Sequence, residues 1–400
     1  MEQKPSLRIG LPANLKGNFR IASVLGIPIE VNASWLITLA FITSMLALRV
    51  YPEVLAPGSP YRDSFALHWL MALVSGLVFF SSIVLHELAH SVVSLRQGTA
   101  VKSITLFIFG GVSQIAGEAR RPLHEFLMAI VGPLMSVLLA GVFFGLWWLA
   151  GHNESSPWGV VLEWLFVMNL VVAAFNMLPG FPMDGGRVLR SLIWGVSGNL
   201  NRATRLATLV GRGLGYAFVF VGALAFFGVL GFIDPWSGAW FAFIGLFIET
   251  SARQSWLQAR ALTLLSSYKA EQIMTPHLAT AYAEDDLRAL ATRGGRRFIF
   301  FVADDDERVV GILTEKEAST VAETAVPTAI AGDVMRRTED VEIVSPRDDG
   351  ASMLQTMEAA SIWHLPVVDA GRVVGVVSKE SLLRLLARGL IARPGLLNQS

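Results

Sequence analysis

Residues 66–90 read ALHWLMALVSGLVFFSSIVLHELAH. The part before His86 carries no Asp, Glu, Lys or Arg, and about 20 such residues in a helix cross a hydrocarbon layer about 30 Å thick. That apolar run ends in His86-Glu87-Leu88-Ala89-His90. Residues four apart share a helix face, so both imidazoles point the same way, with Glu87 beside them. In a soluble chain this pattern is a modest signal. In a membrane each of these groups must be desolvated, and an ionisable residue inside a span marks a functional site by default. The bland alternative is polar glue between helices.

The whole composition agrees with a chain that lives in two solvents. Of 400 residues, 53% are hydrophobic and only 16% charged, with a mean hydropathy of +0.53. Soluble domains average about 45–50% apolar with roughly a quarter charged. The long uncharged runs fill the first two thirds, and the region after Arg260 has ordinary soluble texture. Basic and acidic residues balance at 32 each, which gives no reason to expect a nucleic-acid partner. Six stretches qualify or nearly qualify as spans: Ala33 to Val50, Phe65 to Leu95, Leu123 to Ala150, Trp158 to Leu178, Leu206 to Phe232 and, shortest, Trp236 to Thr250. Basic residues gather in alternate connections, whereas the turns near Gly151 to Pro157 and Gly231 to Pro235 have none. The positive-inside rule then places both termini in the cytoplasm. No small-residue cleavage site follows the N-terminal basic segment, so the first span is expected to remain uncleaved.

Two connections are unusual. Val101 to Ala116, VKSITLFIFGGVSQIA, holds two β-prone runs joined at Gly110-Gly111 and is expected to form a hairpin dipping into the membrane face. Leu178 to Gly186, LPGFPMDGG, is rich in helix breakers. Non-helical backbone survives at membrane depth only where protein or a water-filled cavity satisfies it. Both segments therefore suggest a polar site inside the bundle.

With no cysteine in the chain, any metal must be held by nitrogen and oxygen. A catalytic zinc keeps three protein ligands and an open position. His86 and His90 supply two; Asp184, the one acidic residue of the unwound segment, is the best third, against the competing use of aspartate as a helix N-cap. Asn176, at the inner end of the fourth span, can hold a scissile carbonyl or orient substrate backbone, or else form an interhelical hydrogen bond. Gly110 and Gly111 either make a tight turn or leave a strand edge to pair with an extended substrate.

After Arg260 a unit repeats. RRFIFFVADDDERVVGILTEKEA (Arg296 to Ala318) and IWHLPVVDAGRVVGVVSKESL (Ile362 to Leu382) each give a strand, an acidic turn, a second strand ending at Gly-x-x-Ser/Thr, then a helix. Such repetition points to two copies of one αβ unit packed together.

His86-Glu87-x-x-His90, the Gly110-Gly111 loop, Gly132-Pro133 and Asn176-x-x-Pro179-x-x-Pro182-Met183-Asp184-Gly185 together resemble the site-2 protease family over roughly residues 26–259. The resemblance implies one zinc per chain held by His86, His90 and Asp184, with Glu87 activating water. It implies substrates that are single-span regulatory proteins, such as a membrane-tethered transcription regulator or an anti-sigma factor. The family more often has Leu than Met before the aspartate. No PDZ-like insertion is visible, so the chain resembles the branch with C-terminal CBS domains. In CBS domains a Gly-x-x-Ser/Thr-x-x-Asp signature binds adenosine nucleotides. Here the first copy offers Thr314 and Glu317 and the second Ser378 without the carboxylate, so an adenine nucleotide and homodimerisation are competing uses of the pair.

The expected architecture is an α-helical polytopic membrane domain (residues 1–260) of about six transmembrane helices with a membrane-associated β-hairpin. A soluble α/β CBS pair follows, with repeats at 261–330 and 331–400. The expected activity is intramembrane peptide hydrolysis at the plasma membrane of a prokaryote, with the CBS pair in the cytoplasm. The rivals are a CBS-regulated metal or ion transporter and an inactive relative that only retains membrane clients. The water-activating Glu87 and a single-zinc ligand set argue against the first, and the intact His86, Glu87, His90 and Asp184 against the second.

Overall fold

A computed structural model describes residues 18–55, 59–108, 110–115, 119, 121–151, 156–276, 280–294, 299–303, 309–314, 318, 329–337, 341–360, 362–370 and 372–392. The chain forms two compact units that meet in sequence between Ala259 and Arg260.

The first unit opens with a hairpin that the sequence reading does not anticipate. Strands β1 (Asn18–Val24) and β2 (Ile27–Asn32) pair antiparallel. Their two-residue turn uses Leu25 and Gly26, both at positive φ, the backbone that a tight hairpin between right-twisted strands demands. β2 then runs parallel to β3 (Val101–Phe107), which pairs antiparallel with β4 (Gly110–Ile115). The expected hairpin is thus half of a four-stranded sheet ordered β1-β2-β3-β4, with β4 at one edge. Gly110 and Gly111 do not form the turn; they begin β4.

The helices are α1 (Ser34–Met45), continued through a π turn (Leu46–Val50) into α2 (Tyr51–Val54), then α3 (Phe65–Arg96), α4 (Pro122–Leu149), α5 (Pro157–Asn176), α6 (Asp184–Ser197), α7 (Leu200–Phe226) and α8 (Pro235–Ser266). Among the described residues, five helices are long and apolar enough to cross a membrane: Ser34–Val54, α3, α4, α5 and α7. The sixth expected span is the first half of α8, where Glu249 and Arg253 shorten the apolar run. Proline occupies the first helical turn of α4 and α5, where its missing N–H costs nothing. α6 stops at Gly198 in the left-handed conformation, and Asn199 caps α7 through the Arg202 N–H.

One core of this unit lies where the end of the first span meets the first halves of α3 and α5, around Leu46, Tyr51, Met71, Val161 and Leu165. Tyr51, fully buried, bonds Ser75 at 2.5 Å, and Ser75, Ser82, Ser91 and Ser94 return their hydroxyls to carbonyls one turn back. Such self-bonding lets α3 carry hydroxyls through an apolar layer at little cost.

The second unit contains the two repeats. β5 (Thr280–Tyr282), β6 (Ile299–Ala303), β7 (Val309–Thr314) and β8 (Arg336–Arg337) form one sheet, and β9 (His364–Asp369) with β10 (Arg372–Ser378) the other. Each repeat borrows the segment leading into its partner. β8, which leads into the second repeat, pairs with β7 of the first, while Thr275, which leads into the first, bridges to Val376 of the second. Phe301, Ile312 and Val376 then share one buried cluster.

Candidate metal centre

α3 is 32 residues long, about 48 Å at 1.5 Å per residue. His86 and His90 sit in its second half, both buried. Their rings pack edge to face with centroids 4.9 Å apart, and their Nε2 atoms lie 3.2 Å from each other.

Asp184 arrives from a different element. After α5 ends at Asn176, the segment Met177–Met183 crosses as irregular backbone, and Asp184 is the first residue of α6. Met183 occupies the N-cap position, so the capping alternative for Asp184 does not hold. Its Oδ2 lies 3.1 Å from His86 Nε2 and 3.2 Å from His90 Nε2. Among the described residues these three form the one cluster of potential ligands, with all ligand atoms within 4.8 Å of one another.

The surroundings are those of a cation site. His90 Nδ1 lies 2.5 Å from the Met128 carbonyl oxygen, which can only accept, so Nδ1 holds the proton and Nε2 turns its lone pair to the centre. His86 Nδ1 lies 2.9 Å from the Ser136 hydroxyl. Metal-bound histidines commonly donate their second N–H to such oxygens. Two imidazole nitrogens and a carboxylate oxygen facing one buried point repel one another unless a cation joins them. The nitrogen and oxygen donor set suits zinc.

α4 keeps the centre open. A Cβ built on Gly132 would run into Nε2 of both His86 and His90, so hydrogen is the largest substituent this position accepts. Met128, Gly132 and Ser136 recur every four residues on one face of α4. Gly132 belongs to the Gly132-Pro133 pair, whereas Met128 and Ser136 belong to no motif and only their helical spacing from Gly132 points to them.

Glu87 lies under the hairpin. A Cβ on Gly111 would come within 2.8 Å of Glu87 Cγ and 3.1 Å of Ile83, so β4 passes directly over the glutamate. Ser113 of β4 also bonds Ser91 of α3 at 2.6 Å. The Asn176 amide donates to the Val172 carbonyl, one turn back on its own helix, at 3.0 Å. Thr314 closes β7 and Ser378 closes β10. The Ser378 oxygen accepts from the Ser381 N–H at 3.2 Å, at the start of the following helix, Lys379–Ala392. Glu317 lies outside the described residues.

Residues 75–154 and 150–221 match peptidase family M50, and residues 270–321 and 331–388 match the CBS domain. Two relatives bear zinc metalloprotease names. The protein sll0528 of Synechocystis sp. is 31% identical over 382 residues, covering 93% of this chain and 96% of the relative. Rip3 of Mycobacterium tuberculosis is 31% identical over 379 residues, with 94% of each covered.

The chain belongs to peptidase family M50.

The match to family M50 brackets α3 from Ser75 onward, all of α4 and the segment holding Asp184. The site-2 protease from Methanocaldococcus jannaschii is similar at 25% identity, covering 60% of this chain and 95% of that one, with a TM-score of 0.41. This M50 member therefore combines apolar spanning helices with a C-terminal CBS pair, the organisation its sequence leads one to expect.

Proposed function

We propose that this chain is an intramembrane zinc endopeptidase that cuts single-span regulatory membrane proteins. The observation that carries the reading is the convergence of His86, His90 and Asp184 on one buried point, within helices apolar enough to span a bilayer. Zinc, when bound, supplies Lewis-acid chemistry, acidifying a water and polarising a carbonyl. His86, His90 and Asp184 hold it, while the Met128 carbonyl and Ser136 hydroxyl fix the two imidazoles. Glu87 takes the proton of the attacking water and returns it to the leaving amine. The substrate must first unwind, because a helix hides its carbonyls in hydrogen bonds. The free edge of β4, from Gly110 and Gly111 onward, pairs with the extended stretch and lays it across Glu87. Asn176, at the end of α5, binds the substrate backbone on exchanging its bond to Val172.

The substrates that fit are membrane-tethered transcription regulators or anti-sigma factors in a prokaryotic plasma membrane, cut near its cytoplasmic face. Comparing membrane proteomes of cells carrying the wild-type chain and Glu87→Gln tests this: single-span proteins should accumulate uncut only in the variant. Equal profiles would contradict it.

For the CBS pair we propose an adenine nucleotide as ligand, at the strand ends carrying Thr314 and Ser378. In the second copy the start of the helix Lys379–Ala392 receives phosphate, and in the first copy Glu317 supplies the carboxylate of the sequence signature. Titrating the full chain with ATP, ADP and AMP should give saturable binding lost in Thr314→Ala. Binding of none at millimolar concentration would leave the pair as a dimerisation module.

A further inference from the structure

We infer that the buried ion pair Glu125–Arg190 is a positioning device for Asp184, so that α4 serves as the common frame for all three ligands. The inference rests on the metal-dependent reading above and adds two residues to it.

Glu125 lies in the first turn of α4 and Arg190 in the middle of α6. Arg190 Nε donates to Glu125 Oε1 at 2.5 Å, and Nη2 reaches the same oxygen. Glu125 has no exposed surface and Arg190 is only 9% exposed. Acidic residues in a first helical turn are ordinary when solvated; this one is sealed. The guanidinium also lies over the Phe181 ring at 5.3 Å. Arg190 therefore grips the chain on both sides of Asp184, three residues before it through Phe181 and six residues after it through its own helix.

The opposite end of the pair is equally placed. Glu125 stands one turn before Met128, whose carbonyl takes the His90 proton, and the same face of α4 continues to Gly132 and Ser136. α4 thus fixes His90 and His86 directly and Asp184 through Glu125 and Arg190. A buried pair is a poor source of stability, since apolar residues of like volume hold helices as well or better. Its planar fork instead sets the rotation and height of one helix against another. That is what a metal site needs when its third ligand comes from a separate element, because small displacements of a ligand weaken a site sharply.

The test uses the full chain in detergent and measures zinc affinity by chelator competition, alongside the thermal midpoint of the metal-free protein. Glu125→Gln should weaken zinc binding about 10- to 100-fold, as loss of outer-shell partners does, and should leave affinity nearly unchanged when Asp184→Ala is already present. Arg190→Lys, which keeps the charge but not the fork, should show the same dependence on Asp184 and serves if Glu125→Gln does not fold. An equal loss in both backgrounds would show that the pair supports the fold and not Asp184, and an unchanged affinity in both variants would equally overturn the inference. Failure of the wild-type chain to take up zinc would instead overturn the reading of the site itself.

Discussion

At the scale of single residues, His86 and His90, two of the three candidate ligands, lean on one face of α4 through the Met128 carbonyl, Gly132 and the Ser136 hydroxyl. His86, Glu87 and His90 stand out against an uncharged run, and Asp184 against prolines and glycines. Gly132, by contrast, is marked only through its pairing with Pro133, Ser136 reads as a small residue of a membrane helix, and Met128 contributes only backbone. Their roles depend on which face of α4 meets α3, a fact of packing. Ser136→Ala should therefore lower zinc affinity about 10- to 100-fold with the fold intact, as measured by chelator competition. Gly132→Ala should do more, since its methyl occupies the space between both Nε2 atoms; an affinity equal to wild type would contradict the geometry described for α4. A second residue makes a pH dependence. Burial holds the His364 imidazole, on β9, below its ordinary range. As pH falls below about 6.5, the unfolded chain binds this proton first. The contribution of neutral His364 is complete above that value and is lost progressively below it, down to the depressed native value. Protection factors along β9, taken against the intrinsic exchange rate at each pH, should fall on acidification, and His364→Gln should flatten that response.

At the scale of elements, the spans are legible because their length is dictated by the bilayer, and five of them appear where long apolar runs lie. The β1–β2 hairpin is not, although β2 alternates with Ile27, Ile29 and Val31 buried and Pro28 and Glu30 half-buried between them, because runs of seven and six residues after a basic segment read equally as the lead-in to the first span. The position of Gly111 inside β4, and not at its turn, goes with its close approach to Glu87, which no local propensity encodes. In the repeats the exchange of lead-in segments is reciprocal. A Cβ on Gly311 would meet Met335 Sδ at 2.5 Å and one on Gly375 would meet Met274 Sδ at 2.8 Å. Gly375→Val should accordingly overpack this contact at a cost of about 1–3 kcal/mol. Hydrogen exchange should report it as lost protection in both repeats, because each is completed by the other, with zinc content unchanged. Loosening confined to the second repeat would argue against that interdependence.

At the scale of the whole molecule, the division at residues 259 and 260 separates an apolar unit from one of soluble texture. The sequence shows that change of solvent through charge alone, since charged residues cannot be scattered through a bilayer cheaply. The proposed orientation, with the turn at Asn199 in the cytoplasm, rests on the basic residues Arg187, Arg190, Arg202 and Arg205 on either side of it. Asn199→Cys, in a chain with no other cysteine, should resist an impermeant thiol reagent applied to intact cells and react once the membrane is opened. Labelling from outside would invert the assigned topology.

The most direct measurement takes metal content and cleavage on the same purified samples of full-length wild type, Glu87→Gln and Asp184→Ala, with a single-span substrate in the same bilayer. Wild type should hold one zinc and cut, Glu87→Gln should hold zinc without cutting, and Asp184→Ala, left with the weak affinity of two imidazoles, should neither retain zinc through purification nor cut. Cleavage by Glu87→Gln at the wild-type rate would contradict it.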